Sequence, residues 1–219
     1  MTAETLLTWA RGSAFDWAIG IFVFGMVLRL IEVLSLGKKP DLAEGRGSGV
    51  KGGLKTIVTR SIPRASVFAR EPVRITNGYV FHVGFLLVLL FYGPHIEFIE
   101  NLTGLSWPAL PGGIIAGLGM ITMASLVLAL IFRLRNPVLR HISTVNDYLA
   151  WAVTLLPVLT GYLAYSHAVL PYTAMLALHI LSIELLLVVA PFTKLTHMFS
   201  FALSRWYQGY QAGYRGIES

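Results

Sequence analysis

Cysteine is absent from the 219 residues. That excludes disulfides, thiolate-held iron–sulfur clusters and covalently attached c-type haem, so a redox cofactor would have to be held by histidine or methionine. Charge is scarce as well: 13% of residues are Asp, Glu, Lys or Arg against 55% hydrophobic, where a soluble domain carries about 25% charged residues. With a mean hydropathy of +0.68, a soluble domain is excluded and an integral membrane protein is expected. The opening MTAETLLTWARGSAFDW has no basic start followed by a small-residue cleavage site. The first apolar run is therefore expected to be a retained helix.

Five runs are long enough to cross a bilayer, at about 14–36, 77–99, 111–133, 145–166 and 172–203. The fold expected is an all-α integral membrane protein forming one membrane domain, spans 2 to 5 making a four-helix bundle and span 1 lying at its periphery. The net charge of +6 concentrates between these runs, as orientation signals do, and no nucleic-acid partner is expected. Segment 37–76 holds Lys38, Lys39, Arg46, Lys51, Lys55, Arg60, Arg64, Arg70 and Arg74 against Asp41, Glu44 and Glu71. Arg133, Arg135 and Arg140 follow span 3, and Arg205 and Arg215 follow span 5. No lysine or arginine follows spans 2 and 4. The expected orientation is N-terminus outside and C-terminus cytoplasmic, multi-pass in a prokaryotic cytoplasmic (inner) membrane.

Within the basic segment, Gly47, Gly49 and Gly52 match a lone G-x-G-x-x-G. No strand pattern precedes it, so a flexible linker is expected rather than a dinucleotide site. The following TIVTRSIPRASVFAREPVR alternates apolar and basic residues, which suits a membrane surface or a docked partner.

Four of the six histidines fall within apolar runs. Read as one helix, 172–205 puts His179 and His197 on a single face, about 27 Å apart. Span 2 runs the opposite way with His82 and His95, so depth pairs His82 with His197 and His95 with His179. Two bis-histidine irons account for all four. The gap on span 2 is about 20 Å if helical, and unwinding at Pro94 would absorb part of the mismatch. Gly84 and Gly161 would admit a flat macrocycle or simply pack helices.

Other polar side chains stand out by depth. Glu184 is the carboxyl well inside a span, the place of a proton path or a bound polar ligand. Tyr92, Glu97 and His167 cluster toward the outer side and, with Glu184, form a candidate quinone site; His167 is also an alternative fourth iron ligand. Lys194 and Arg205, near His197, would pair with haem propionates or snorkel. Trp206, Tyr207, Tyr210 and Tyr214 read as an interfacial aromatic belt or a docking surface, and His141 as a solvated histidine.

FHVG at 81–84 and LHILSIELLLVVAPFTKLTHMF at 178–199 closely resemble the gamma subunit of respiratory nitrate reductases and related membrane cytochromes b, a family some of whose members serve heterodisulfide reductase-like iron–sulfur proteins. The resemblance implies two b haems, with His82 and His197 as ligands of the cytoplasmic-side haem and His179 as one ligand of the outer haem. In that gamma subunit the fourth ligand falls about one turn before His95, where this chain has Tyr92. The function it implies is a dihaem subunit of a respiratory oxidoreductase complex, moving electrons between membrane quinone and cytoplasmic iron–sulfur subunits. The rival expectation is a haem-free membrane anchor; a small transporter ranks below both because paired broken helices and internal repeats are not evident.

Overall fold

Prolines set many of the helix starts. Pro72, Pro94 and Pro137 occupy the first turns of helices, where a missing N–H costs nothing, and Pro111 and Pro171 cap two more. In a computed structural model that describes residues 1–37, 42 and 44–217, the helices are α1 (Ala3–Ser35), α2 (Gly49–Thr59), α3 (Ala65–Phe68), α4 (Pro72–Phe91), α5 (Gly93–Thr103), α6 (Gly112–Arg135), α7 (Pro137–Ile142), α8 (Val145–Ser166), α9 (Tyr172–Val189) and α10 (His197–Tyr214). No strand occurs among the described residues. Lys38, Lys39 and Asp41 of the basic segment lie outside them.

The protein is an all-α integral membrane protein; among the described residues five helices are long and apolar enough to cross a membrane: α1, α4, α6, α8 and α9 with its 3-10 extension to Phe192. Their packing runs in a row, α1 on α9, α9 on α8, α8 on α6, α6 on α4. The row leaves α1 peripheral and closes no tight contact between α4 and α9. The α4–α6 joint is stitched by Asn77 Nδ2 donating to Ser125 O (3.0 Å) and Ser125 Oγ donating to Asn77 O (2.9 Å).

Several expected boundaries shift. Span 1 begins at Ala3, with a π-helical turn at Ala10–Ala14 where Gly12 leaves helical geometry. Span 2 starts at Pro72 and stops at Phe91, because Tyr92 turns extended (ψ 127°) before Pro94 restarts the chain as α5. Nor is 172–205 one helix. Pro191 lacks an N–H, and α9 gives way at Ala190–Phe192 and Lys194–Thr196 to two 3-10 turns before α10 begins at His197.

The glycine-rich stretch is not a linker. Ser48 caps α2, its side chain accepting from Lys51 N, and α2 packs antiparallel on α10. A side chain at Gly52 would lie 2.3 Å from Gly209 O, one at Gly213 2.7 Å from Ser48 O, and one at Gly209 2.4 Å from Thr56 Oγ1. Small residues on both helices thus bring the backbones together. Trp206, Tyr210 and Tyr214 lie over Gly53, Gly49 and Gly45 in turn. Three of the four tail aromatics therefore face this helix pair rather than forming a free belt; Tyr207 is exposed.

Candidate functional site

The end of the bundle where α4 and α8 begin, and where α6 and α9 end, carries the basic residues and is called the basic end. Here His82 on α4 faces His197 at the start of α10, with ring centres 6.2 Å apart and planes crossed at 81°. Toward the other end His95 on α5 faces His179 on α9, with centres 6.1 Å apart and planes 16° from parallel. Both pairs cross the one side of the bundle where α4 and α9 do not pack.

Each imidazole is held at Nδ1. His82 Nδ1 lies 2.7 Å from Gly78 O and His197 Nδ1 2.8 Å from Lys194 O. His95 Nδ1 lies 3.2 Å from Val88 O and 3.1 Å from Leu89 O. Thr160 Oγ1 donates to Leu156 O at 2.7 Å, which leaves its oxygen to accept from His179 Nδ1 at 3.2 Å. An Nδ1–H so engaged fixes the tautomer and orients Nε2, as an outer-shell partner does for a metal-ligating histidine. Burial pushes the His95 imidazole below its ordinary value, which keeps it neutral.

The spacing has a chemical reading. A metal–imidazole nitrogen bond is about 2 Å and the ring centre lies about 1 Å beyond, so two imidazoles on opposite sides of one metal stand about 6 Å apart. The rings of His82 and His95 sit at the levels of Gly78 and of Val88 and Leu89, about 16 Å apart along α4. Among the described residues no group of three or more His, Cys, Asp or Glu side chains gathers to hold a metal. Each pair taken alone could therefore offer two imidazole nitrogens to a metal and no more.

The break before α5 makes the second pair possible. Helix α4 ends with unpaired carbonyls, and each is satisfied: Val88 and Leu89 by His95, Leu90 by Trp107 Nε1 at 2.6 Å, Phe91 by Leu110 N at 3.0 Å. Folding back, His95 reaches His179 where a continuous helix would carry it past. Tyr92 sits edge-on to His95 (5.1 Å) and to Tyr165 (6.3 Å). Burial, then the neighbouring Tyr172 and Tyr165, push the Tyr92 hydroxyl up, so it remains a donor. His167, left-handed at φ 53°, stacks on Tyr172 at 5.1 Å rather than meeting His179. Glu97 is exposed on α5.

The chain is 33% identical to a curated protein of Nitratidesulfovibrio vulgaris strain Hildenborough, the match covering 86% of each, and that relative is named simply "Protein". The two belong to one family. No family model matches the chain, and no solved structure matches it.

In this member of the family, other expected site residues are engaged elsewhere. Lys194 Nζ donates to both carboxylate oxygens of Asp147, at 2.8 and 2.7 Å. Arg205 Nη1 donates to Ser61 Oγ at 2.8 Å, and its guanidinium lies 5.4 Å from the Phe201 ring centre. Glu184 is buried with no hydrogen-bond partner at Oε1. It stands about 140° round α9 from His179 and one to two turns nearer the basic end, so it does not join Tyr92, Glu97 and His167. Gly161 lies against the His179 ring, where an added Cβ would be 2.9 Å from Cε1; at Gly84 it would be 2.3 Å from Thr122 Oγ1. Both glycines thus serve close approach within the protein.

Sequence reading passed over Asp147, Asn146 and Trp107, and took Arg133 for an orientation signal alone. Asp147 is a capping-box carboxylate at the start of α8, and T-V-N-D was a readable signal for that role alone. Its partners Lys194 and Arg133 come from other helices, beyond the reach of local pattern.

Proposed function

We propose that the protein is a membrane cytochrome b subunit with two b haems, carrying electrons between the quinone pool and an iron–sulfur partner subunit. One observation carries the reading: two histidine pairs span one slot with ring centres 6.2 and 6.1 Å apart. With two protein nitrogens per centre, a macrocycle supplies the remaining ligands, and non-covalent haem suits a chain without cysteine. Bound haem supplies one-electron redox chemistry; the protein supplies orientation, a low dielectric and access.

The chain's own contributions follow from their positions. His82, His197, His95 and His179 would present Nε2 while Nδ1 is held, and the apolar spans around them supply a low dielectric. Near His179, Tyr92 offers a hydroxyl donor, with Tyr165, His167 and Glu97 close along the same end of the bundle, a set suited to a quinone headgroup and its protons. The basic residues at the other end favour the cytoplasm of a prokaryotic inner membrane, which puts the quinone region outward. At the basic end an acidic-faced iron–sulfur protein, of the heterodisulfide reductase-like kind or another, would meet Lys51, Lys55, Arg60 and Arg64.

The test is the reduced absorption spectrum and haem content of the chain purified in mild detergent, with identification of the subunits that accompany it. Two b-type haems per polypeptide and an iron–sulfur companion are expected. A folded chain without haem overturns the reading and leaves the haem-free anchor.

A further inference from the structure

The turn that interrupts the last span is anchored more thoroughly than the rest of the slot. Residues 190–196 leave the helical hydrogen-bond pattern, and in a bilayer every freed backbone group needs a partner. Arg29 Nε donates to Pro191 O at 2.9 Å, Asn146 Nδ2 to Phe192 O at 3.3 Å, and Lys194 N to Asn146 Oδ1 at 3.0 Å. The Lys194 carbonyl takes the Nδ1–H of His197. The side chain of Lys194 is tied in turn to Asp147, whose own side chain is only 5% exposed.

Asp147 is the hub. It accepts Lys194 on both oxygens, Arg133 Nη1 on Oδ1 at 3.0 Å, and both the backbone N–H and the hydroxyl of Thr144 on Oδ2 at 2.9 and 3.1 Å. It therefore joins the end of α6, the start of α8 and the broken turn between α9 and α10. His179 is held instead by neutral hydroxyls within the bundle: its Nδ1 rests on Thr160, which meets Ser182, and Ser182 Oγ donates to the His179 carbonyl.

We propose that Asp147 is a positioning residue for His197: through Lys194, and with Asn146 beside it, it fixes the turn whose carbonyl sets the tautomer and ring plane of that imidazole. This rests on the haem reading, in which His197 is a ligand of one centre. Because the network touches only the basic-end pair, the other pair is a control within the same molecule.

Four variants test it: Asp147→Asn, Asn146→Ala, Lys194→Gln and Lys194→Arg. Lys194 is largely exposed, so its variants fold even where Asp147→Asn does not. The readouts are haem per polypeptide, the low-spin ferric resonance spectrum of each centre, and amide hydrogen exchange across 193–197. In Asp147→Asn, Asn146→Ala and Lys194→Gln the His82/His197 centre is expected to shift its resonance or to be lost, taking haem from two toward one. The His95/His179 centre stays as in the wild type, exchange at 193–197 quickens at least tenfold, and Lys194→Arg restores both. The proposal is overturned if the basic-end centre and the exchange rates are unchanged, or if both centres change together. Should the wild type carry no haem, the functional reading fails, while the exchange measurement on the same variants still decides whether Asp147 holds the turn beside His197.

Discussion

His82 and His197 meet with their ring planes crossed at 81°, while the other histidine pair lies within 16° of parallel. On the proposed haem reading, the planes of the two imidazoles of each pair would lift the degeneracy of the metal orbitals they overlap. Parallel planes act on one orbital together, whereas crossed planes act on both nearly equally. The oxidised protein is therefore expected to give two separate low-spin ferric signals, the crossed pair being the more anisotropic. Low-temperature paramagnetic resonance on the haem-loaded chain checks this, and a single signal counting for both centres would refute it.

Removing histidines should empty the slot pair by pair. On the proposed haem reading, alanine at His82 or at His197 is expected to remove one haem, and the double variant to remove no more than either single one, because that reading assigns both to one centre. Alanine at His95 or His179 removes the other. Haem quantitation on each variant decides it, and His167→Ala should keep two, since His167 stacks on Tyr172 away from His179.

Trp107 closes the carbonyl of Leu90 at the break that lets His95 fold back. Trp107→Phe keeps an aromatic ring, though a smaller one, and deletes the donor, leaving that carbonyl short of a partner at a cost of about 1 kcal/mol. Expected is a lower midpoint of thermal unfolding, with haem leaving the His95/His179 centre first as temperature rises. Equal loss from both centres would show that the bond does not serve this pair.

Gly52→Ala puts a methyl 2.3 Å from the Gly209 carbonyl and 2.7 Å from Gly213 Cα. Backbone on both sides cannot yield, so α2 is expected to part from α10. Limited proteolysis across 42–64 should quicken at least tenfold. Gly117→Ala, with nothing within 4 Å of the added atom, should leave cleavage unchanged and gain up to about 1 kcal/mol of helix stability.

Lys51, Lys55, Arg60 and Arg64 are exposed along the α2 side of the basic end. On the proposed reading an acidic partner docks there, and such docking would weaken with salt and with lost charge. Neutralising all four is expected to slow haem reoxidation by the partner in the intact complex while both haems still reduce. Stopped-flow traces at low and high ionic strength check it; indifference to both salt and substitution would move docking elsewhere.

Much of this arrangement was legible in the residues. The five apolar runs and the depth of His82, His95, His179 and His197 are local properties, and composition and spacing report them well. What escaped was non-local. A continuous reading of 172–205 missed the break at Pro191 because the groups that make it tolerable, Arg29 and Asn146, come from other spans. Lys194 read as a propionate partner or a snorkelling side chain, whereas it pairs with Asp147, far away in sequence. The glycines of 45–53 suggested looseness, since flexible chain and tight helix contact favour the same residue; only the aromatic side chains of α10 tell the two apart.

That last contact also dictates an order of assembly. Helix α2 is made early, yet the surface it packs on is synthesised about 150 residues later, after four more crossings have been laid down, and contacts of such long sequence separation form late. Until α10 emerges, the row of glycines has nothing to close on. The segment then waits at the membrane surface with Val50, Leu54 and Val58 exposed as well, and a chain stalled before Trp206 would offer that unfinished helix to proteases and chaperones.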